Sequence, residues 1–244
     1  MRPMRLRSSL PLALMALCLL LISCEKDIPV GGPRKKGPDT VRILHLGNSI
    51  TLHGIVEDLW WGEWGMAASR PDKDYVHQVE AAGPYKCDAV NIAAAFERGE
   101  YTSLEDVVAH AELKSTAEIH PADYDVYVIK VGENVSSSLE DFRTRLTALV
   151  RSIKSANSRG QIILVSPFWK MPNAVYAVSA VASAESCTHI DITDLDQAAY
   201  KWKIGDQVLG SDGRIHTITD AGVANHPNDA GMAAIARRIV SSLR

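Results

Sequence analysis

The chain of 244 residues carries 26 Lys and Arg against 29 Asp and Glu, which gives a formal net charge of −3 at pH 7, and 46% of its residues are hydrophobic. This length and hydrophobic share are enough for one globular domain with its own core. A moderately acidic chain without a basic run gives no electrostatic reason to expect nucleic acid as a partner.

The first 23 residues have the pattern of an export signal. Three arginines precede an apolar run at positions 10–22, which is too short to span a bilayer as a mature helix. The run ends in Leu-Ile-Ser-Cys, which is similar to a bacterial lipobox, so we predict cleavage before Cys24 and attachment of lipid to it. The alternative is a plain secretory signal with an incidental cysteine. The predicted location is the periplasmic or surface face of a bacterial outer membrane, with the protein bound through its lipid.

Residues 24–40 are rich in Gly and Pro, and this composition predicts a flexible tether that buries no core. The remaining residues, 41–244, form one predicted domain without internal repeats. Cys87 and Cys187 are the cysteines left in it. Because they fall at opposite edges of the predicted sheet, we expect two unpaired, largely buried thiols.

Short apolar runs alternate with helical patterns along this domain. Five strands are predicted, at 41–46, 89–93, 125–131, 161–166 and 188–192. Strands that alternate with helices are typical of an α/β fold with a doubly wound parallel sheet. Right-handed crossovers and a site at the end of the first strand favour the strand order 2-1-3-4-5.

Three helices and one hairpin are predicted between and after these strands. Ser137 with Glu140, and Thr102 with Glu105, have the spacing of capping boxes that begin helices. Apolar residues at helical spacing predict a last helix at 230–243. Residues 201–219, with a Gly-Ser-Asp-Gly turn, predict a hairpin that forms one wall of a pocket.

Ser49 follows the first strand in the run Gly-Asn-Ser, and a segment with helical character comes after it. This pattern predicts a sharp strand-to-helix turn with the serine at the carboxyl edge of the sheet, where open α/β sheets bind ligands. The tripeptide by itself is more typical of an ordinary turn. As a nucleophile, Ser49 needs a base to take its proton.

His226 is the best candidate for that base, because it stands in a loop before the last helix that can fold over the same edge. His45 and His189 lie within predicted strands and are interpreted as structural, with satisfied hydrogen bonds. His53 follows Ser49 by four residues, and the predicted helix would carry it out of reach. Asn134 follows the third strand, so its amide can reach this edge as a donor to an oxyanion.

Three short motifs in this order resemble the SGNH hydrolases, a subgroup of the GDSL esterases and lipases. They are Gly47-Asn48-Ser49-Ile50-Thr51, Gly132-Glu133-Asn134, and His226-Pro227-Asn228-Asp229-Ala230-Gly231. The resemblance implies a three-layer, flavodoxin-like fold and a Ser-His hydrolase. It also implies that Ser49 is the nucleophile and His226 the base, and that the Ser49 backbone and the Asn134 side chain are oxyanion donors.

The sequence departs from this family at two points. The second block of the family supplies a glycine amide, but residues 91–97 contain no glycine, so the N–H of Ala95 or Phe96 would have to replace it. The family's Asp lies three residues before its His, and that position is Val223. Asp220, six residues before His226, is the candidate third member of a triad. The alternative is a Ser-His dyad oriented by a backbone carbonyl.

The predicted function is removal of short acyl groups from carbohydrate, with acetyl as the predicted group. Trp169 follows the fourth strand at the same edge and is the candidate surface for stacking on a sugar ring. Rival interpretations are a lysophospholipase or thioesterase, and a non-catalytic glycan-binding lipoprotein on a decayed hydrolase scaffold. The sequence contains no metal-ligand motif and no phosphate-binding loop, so no cofactor is predicted.

Overall fold

The computed structural model describes residues 40–244. The predicted export signal, Cys24 and all but the last residue of the predicted tether lie outside this part of the chain. Between residues 40 and 244, no helix combines the length and the apolar character needed to cross a bilayer.

The core of the fold is a six-stranded sheet. Its strands are β1 (Val41–Gly47), β2 (Tyr85–Asn91), β3 (Leu113–Lys114), β4 (Val126–Lys130), β5 (Gln161–Val165) and β6 (Thr188–Ile190). They are ordered β3-β2-β1-β4-β5-β6, and only β3 runs antiparallel to its neighbour. The predicted α/β class and the order of the five parallel strands are confirmed. The sixth strand, β3, was missed because two residues are too few to show a period.

Helices cover both faces of the sheet and complete a three-layer α/β structure. They are α1 (Tyr75–Ala81), α2 (Leu104–Ala109), α3 (Leu139–Ala156), α4 (Pro172–Ala184), α5 (Ala221–Ala224) and α6 (Asp229–Val240). Short 3₁₀ turns occur at Pro71–Lys73, Pro121–Asp123, Thr193–Leu195 and Ala198–Tyr200, and a π-helical turn at Ala93–Glu97. Apolar residues of α1 and α6 share one core layer with β1, and those of α2, α3 and α4 share the other.

The predicted capping boxes are each displaced by one residue. The side chain of Ser138 caps α3 by accepting from the Asp141 amide, and Ser103 caps α2 by accepting from Asp106. At both places the sequence offers two adjacent hydroxyl residues, each followed three positions later by an acid. Spacing alone therefore does not choose between them, and the apolar face of the helix decides where the first turn begins.

The prediction of a helix after Ser49 is wrong. The amides of Thr51 and Leu52 donate to the Asn48 carbonyl at 2.9 and 3.0 Å, which closes a single turn. The His53 amide then donates to Trp64 O at 3.0 Å, so the chain leaves the turn as an irregular segment. This segment continues to the 3₁₀ turn before α1, with Trp60 and Trp64 buried in the core.

The predicted hairpin is confirmed as β7 (Gln207–Leu209) and β8 (Ile215–Thr217), which pair antiparallel. It packs on the irregular segment after Ser49. The Ser211 amide donates to Trp61 O at 2.8 Å, and the His216 ring stacks on the Trp61 ring with centroids 4.4 Å apart.

Cys87 and Cys187 are both free, as predicted, although Cys187 is only half-buried. His45 is buried within a strand, as predicted, but the prediction that its hydrogen bonds are satisfied is wrong. His45 is fully buried in β1, but neither ring nitrogen has a hydrogen-bond partner within the described chain. The side chain instead packs edge-on against the Tyr75 ring, with centroids 5.4 Å apart.

Candidate active site

The site forms at the carboxyl edge of the sheet, where β1 lies between β2 and β4. Gly47, the last residue of β1, pairs with Asn91 on one side and Lys130 on the other. The segments that come after these three strands therefore meet, and Ser49 lies among them. A Cβ on Gly47 would lie 1.9 Å from Thr51 Oγ1 and 2.9 Å from Lys130 O, so only glycine allows this close approach.

The structure brings Ser49 and His226 together from opposite ends of the domain. Ser49 Oγ lies 3.0 Å from His226 Nε2, and His226 Nδ1 lies 2.7 Å from the carbonyl oxygen of Gly222. A carbonyl only accepts, so Nδ1 carries the hydrogen and the neutral ring presents a lone pair at Nε2. This tautomer is the one that takes a proton from a serine hydroxyl.

Asp220 is not brought to the imidazole. Its Oδ1 accepts from the Val223 amide at 3.0 Å and caps α5, and the Gly222 carbonyl stands at His226 Nδ1 instead. The carboxylate is held by the first turn of α5, which places it at the helix end opposite His226. Of the two arrangements that the sequence left open, the structure has the dyad oriented by a backbone carbonyl.

The environment of His226 favours the neutral ring. The pKa of His226 is lowered to about 4, mainly by burial and also by positive charge on His53 and Lys130, against the raising effect of the Gly222 carbonyl and the Glu133 carboxylate. His226 is therefore an uncharged proton acceptor at neutral pH.

Asn134, the predicted oxyanion donor, lies in the turn that follows β4. Its Nδ2 donates to Glu97 Oε2 at 2.8 Å. An amide nitrogen carries two hydrogens, and the second N–H of Asn134 has no acceptor within residues 40–244. It remains available to a reacting oxygen.

The turn after β2 contains Ala95 and Phe96, the two candidates for the amide that replaces the missing glycine. The Phe96 amide donates to Ile92 O at 2.7 Å, so it is not available to a substrate. The Ala95 N–H lies in the first turn of the π-helical segment Ala93–Glu97, where a helix has no acceptor for it. The Ile92 amide donates to Gly47 O at 2.7 Å and ties this turn to β1.

A buried polar network beneath the nucleophile was missed by sequence reasoning. Lys130 and Glu133 form an ion pair with almost no exposed surface. Glu133 also accepts from the Phe168 amide and from Asn48 Nδ2, each at 2.8 Å. Asn48 Nδ2 lies 3.3 Å from Oε1 of the fully buried Glu97. A lysine inside an otherwise apolar strand was the one sequence signal for it.

The two buried carboxylates of this network differ electrostatically. Burial and the charge of Glu133 raise the pKa of Glu97, against hydrogen bonds from Asn134 and Gly132. Burial raises the pKa of Glu133 as well, but the Lys130 ammonium and the hydrogen bonds from Phe168 and Asn48 together hold it below its ordinary value.

Trp169 lies beside the dyad. Its Nε1 donates to Asn225 O at 3.0 Å, and its ring stands perpendicular to the His226 ring with centroids 5.2 Å apart. The half-buried ring thus forms part of the surface next to the base.

His53 is not carried away from the site, because no helix follows Ser49. Its Nδ1 lies 2.6 Å from Gly54 O, and its charge acts on His226. His189 has a hydrogen-bond partner, as predicted for a structural histidine, because its Nε2 lies 2.9 Å from Ser166 Oγ. Residues 40–244 hold no group of three or more His, Cys, Asp or Glu side chains placed to bind a metal ion.

No protein-family model matches this chain, and no curated protein matches its sequence. Solved structures do match. A family 2 carbohydrate esterase from Cellvibrio japonicus superposes with a TM-score of 0.52 at 13% identity, over 84% of this chain and 60% of that one. GDSL-like lipases from Bacteroides uniformis (TM-score 0.52, 12% identity) and Bacteroides ovatus (0.50, 13%) superpose over 84% and 82% of this chain and 96% of their own.

The chain has the fold of the SGNH hydrolases. The motif resemblance is thereby confirmed at the level of the fold, although the chain spans only 60% of the length of the Cellvibrio japonicus esterase. At 12–13% identity the likeness extends to the fold alone, so activity has to be argued from the residues of the site.

Proposed function

We propose that this protein is a serine ester hydrolase that works through an acyl-enzyme. The observation that carries the proposal is the chain of contacts from Ser49 Oγ to His226 Nε2 and from His226 Nδ1 to Gly222 O. Hydroxyl, imidazole and a fixed acceptor in this order are the parts that activate a serine nucleophile.

In the proposed reaction, Ser49 Oγ attacks the ester carbonyl while its proton passes to His226 Nε2. The Ser49 backbone N–H, the free N–H of Asn134 and the Ala95 N–H donate to the oxyanion. The imidazolium then gives its proton to the leaving alcohol, and the acyl group remains on Ser49. His226 deprotonates a water, which attacks the acyl carbon, releases the acid and returns the proton to Ser49.

The proposed substrate class is acylated carbohydrate, with acetyl as the acyl group. Two observations support it: the Trp169 ring next to the base offers an aromatic face for a sugar ring, and one structure with this fold is a family 2 carbohydrate esterase.

A second candidate, a lysophospholipase or thioesterase, is favoured by one observation. A cavity of about 460 Å³ borders the Gly132 turn that precedes Asn134, and its lining is mostly apolar, including Val135, Leu139 and Met171. Such a cavity suits a longer acyl chain.

The decisive experiment compares the purified protein with Ser49→Ala on 4-nitrophenyl acetate and on acetylated sugars. Loss of the nucleophile is expected to lower kcat by about 10⁶-fold. Ser211→Ala, in the exposed hairpin turn, is the control and should keep full activity. Equal inertness of the wild type and Ser49→Ala contradicts the proposal and favours a glycan-binding protein without catalysis. Activity that rises with acyl length from acetate to decanoate favours the second candidate.

We also propose that the protein is exported and held on a bacterial membrane by lipid on Cys24. This proposal rests on the lipobox-like sequence. The wild type is expected in the detergent-extractable membrane fraction and Cys24→Ser in the soluble fraction. Recovery of both in the soluble fraction would contradict it.

A further inference from the structure

We propose that Glu97 is the positioning residue of the oxyanion site: it fixes the Asn134 amide and, through Asn48, joins it to the turn that carries Ser49. This inference rests on the proposed ester hydrolase function and extends it to a residue outside the motifs.

Glu97 holds Asn134 at two points. The backbone nitrogen of Asn134 lies 3.3 Å from Glu97 Oε1, and the side-chain Nδ2 of Asn134 donates to Glu97 Oε2 at 2.8 Å. The Gly132 amide donates to the same Oε1 at 2.5 Å. One fully buried carboxylate therefore fixes both the backbone of the Gly132–Asn134 turn and the side chain that the turn presents.

The carboxylate also determines which way the Asn134 amide faces. An ionised carboxylate only accepts, so Nδ2 and not Oδ1 must face Glu97. With one N–H bound to Glu97, the planar amide directs its second N–H along a fixed line. Rotation of the amide would place Oδ1 against Glu97, where two acceptors repel. Glu97 thus ensures that the site meets a reacting oxygen with a donor.

Asn48 connects this arrangement to the nucleophile. Its Nδ2 lies 3.3 Å from Glu97 Oε1 and 2.8 Å from Glu133 Oε2, while its Oδ1 accepts from the Ile50 amide at 3.3 Å. An aspartate at this position would face two buried carboxylates. The Asn48 amide instead donates to both carboxylates, which an aspartate there could not do.

The N–H groups donated to Glu97 favour its ionised form and oppose the raising effect of burial and of Glu133 on its pKa. Lys130 neutralises Glu133, and Glu97 receives N–H groups from Gly132, Asn134 and Asn48. Buried charges persist only when hydrogen bonds or ion pairs replace water, and each buried N–H here has such a partner. A network this fully bonded is costly to rearrange, which is what holding a donor in place requires.

The test is a double-mutant cycle with Glu97→Gln and Asn134→Ala on 4-nitrophenyl acetate. Asn134→Ala is expected to lower kcat by about 10²–10³-fold, as removal of an oxyanion donor does. Glu97→Gln keeps the shape but turns an amide N–H₂ toward the donors, and a misplaced donor is expected to cost about 10²-fold in kcat with KM unchanged. Because Glu97 acts through Asn134, the double variant should be no slower than Asn134→Ala alone.

Glu80→Gln is the matched control. Glu80 accepts a backbone amide, that of Cys87, at 2.7 Å at the opposite edge of the sheet, so its variant should keep wild-type kcat. Circular dichroism and thermal unfolding verify that each variant is folded. Should Glu97→Gln fail to fold, Glu97→Asp takes its place, because it keeps the charge and shortens the reach by one methylene.

Several outcomes overturn the assignment. One is a kcat for Glu97→Gln within about threefold of the wild type, since a misplaced donor costs far more. Another is a double variant whose loss is the product of the two single losses, because the residues would then act independently. A wild type no faster than Ser49→Ala overturns the proposed function and this assignment together. An active wild type with an unaffected Glu97→Gln overturns the assignment alone.

Discussion

His226 differs from the histidine of a Ser-His-Asp triad in one feature: its Nδ1 contacts a backbone carbonyl instead of a carboxylate. The Gly222 carbonyl fixes the tautomer and the orientation of the ring, which are two of the three tasks of a triad aspartate. It carries no full negative charge, so it stabilises the imidazolium less. Together with burial, this explains why the pKa of His226 lies as low as about 4.

The low pKa of His226 predicts activity that persists in acid. A base works only when neutral, and His226 is neutral above about pH 4, so kcat/KM should be half-maximal near pH 4 and fall below it. Rates measured with 4-nitrophenyl acetate between roughly pH 3.5 and 8 check this. His53→Gln removes a positive charge that lowers the pKa of His226, so its midpoint should move upward. A wild-type midpoint near about 6.5, the ordinary value for histidine, would contradict the prediction.

At the scale of elements, the site depends on the segments after the strands rather than on the strands themselves. The turn after β1 supplies Ser49, the turn after β4 supplies Asn134, and the segment between α5 and α6 supplies His226. α5 occupies the chain between Asp220 and His226 and takes the carboxylate of Asp220 as its cap. Its Gly222 carbonyl, four residues before His226, then meets the imidazole.

Asp220→Ala separates a helix cap from a triad member. Loss of an N-cap costs about 1 kcal/mol of stability, whereas loss of a triad aspartate lowers kcat by about 10⁴-fold. We expect a lower unfolding temperature and a kcat within about tenfold of the wild type, because Gly222 still orients His226. Ser138→Ala, which removes the cap of α3, should cost similar stability. A loss of kcat of about 10⁴-fold in Asp220→Ala would contradict the dyad and show that Asp220 acts as the third member of a triad.

At the scale of the whole molecule, buried neutral imidazoles link stability to pH. Burial lowers the pKa of His45 to about 3, with a smaller effect of the charge on His77, and His45 has no hydrogen-bond partner in the described chain. In the unfolded chain the same ring has a pKa of about 6.5. As pH falls below about 6.5, the unfolded state binds a proton that the folded state excludes, so the folded state loses stability.

This linkage predicts a lower free energy of unfolding as the pH falls. Each such imidazole lowers it by about 1.4 kcal/mol per pH unit, from about pH 6.5 down to the pKa of the imidazole in the folded protein. His45→Phe keeps a buried ring but removes the titration. Urea unfolding at about pH 7, 5.5 and 4 should give a flatter dependence for His45→Phe than for the wild type. Altered packing shifts the free energy equally at every pH, so the slopes distinguish the two effects. Equal slopes would refute the role of His45.

The sequence by itself determined the five parallel strands of the sheet, their order and the residues that come to its carboxyl edge. Apolar periodicity is local, and right-handed crossovers leave few topologies, so Ser49, Asn134 and His226 could be placed at one edge from their positions after strands and before a helix. The hairpin also followed from local pattern, and the two free thiols followed from the predicted strand order.

Only the tertiary structure decided which group meets each of these residues. The partner of His226 depends on how one turn of α5 orients its carbonyls, and neither Gly222 nor Asp220 is distinguished by spacing. Glu97 reaches Asn134 across 37 positions of sequence, and no local pattern marks such a contact. Periodicity records which side of an element is buried, whereas hydrogen-bond partners depend on distances of a few tenths of an ångström between segments that meet only after folding.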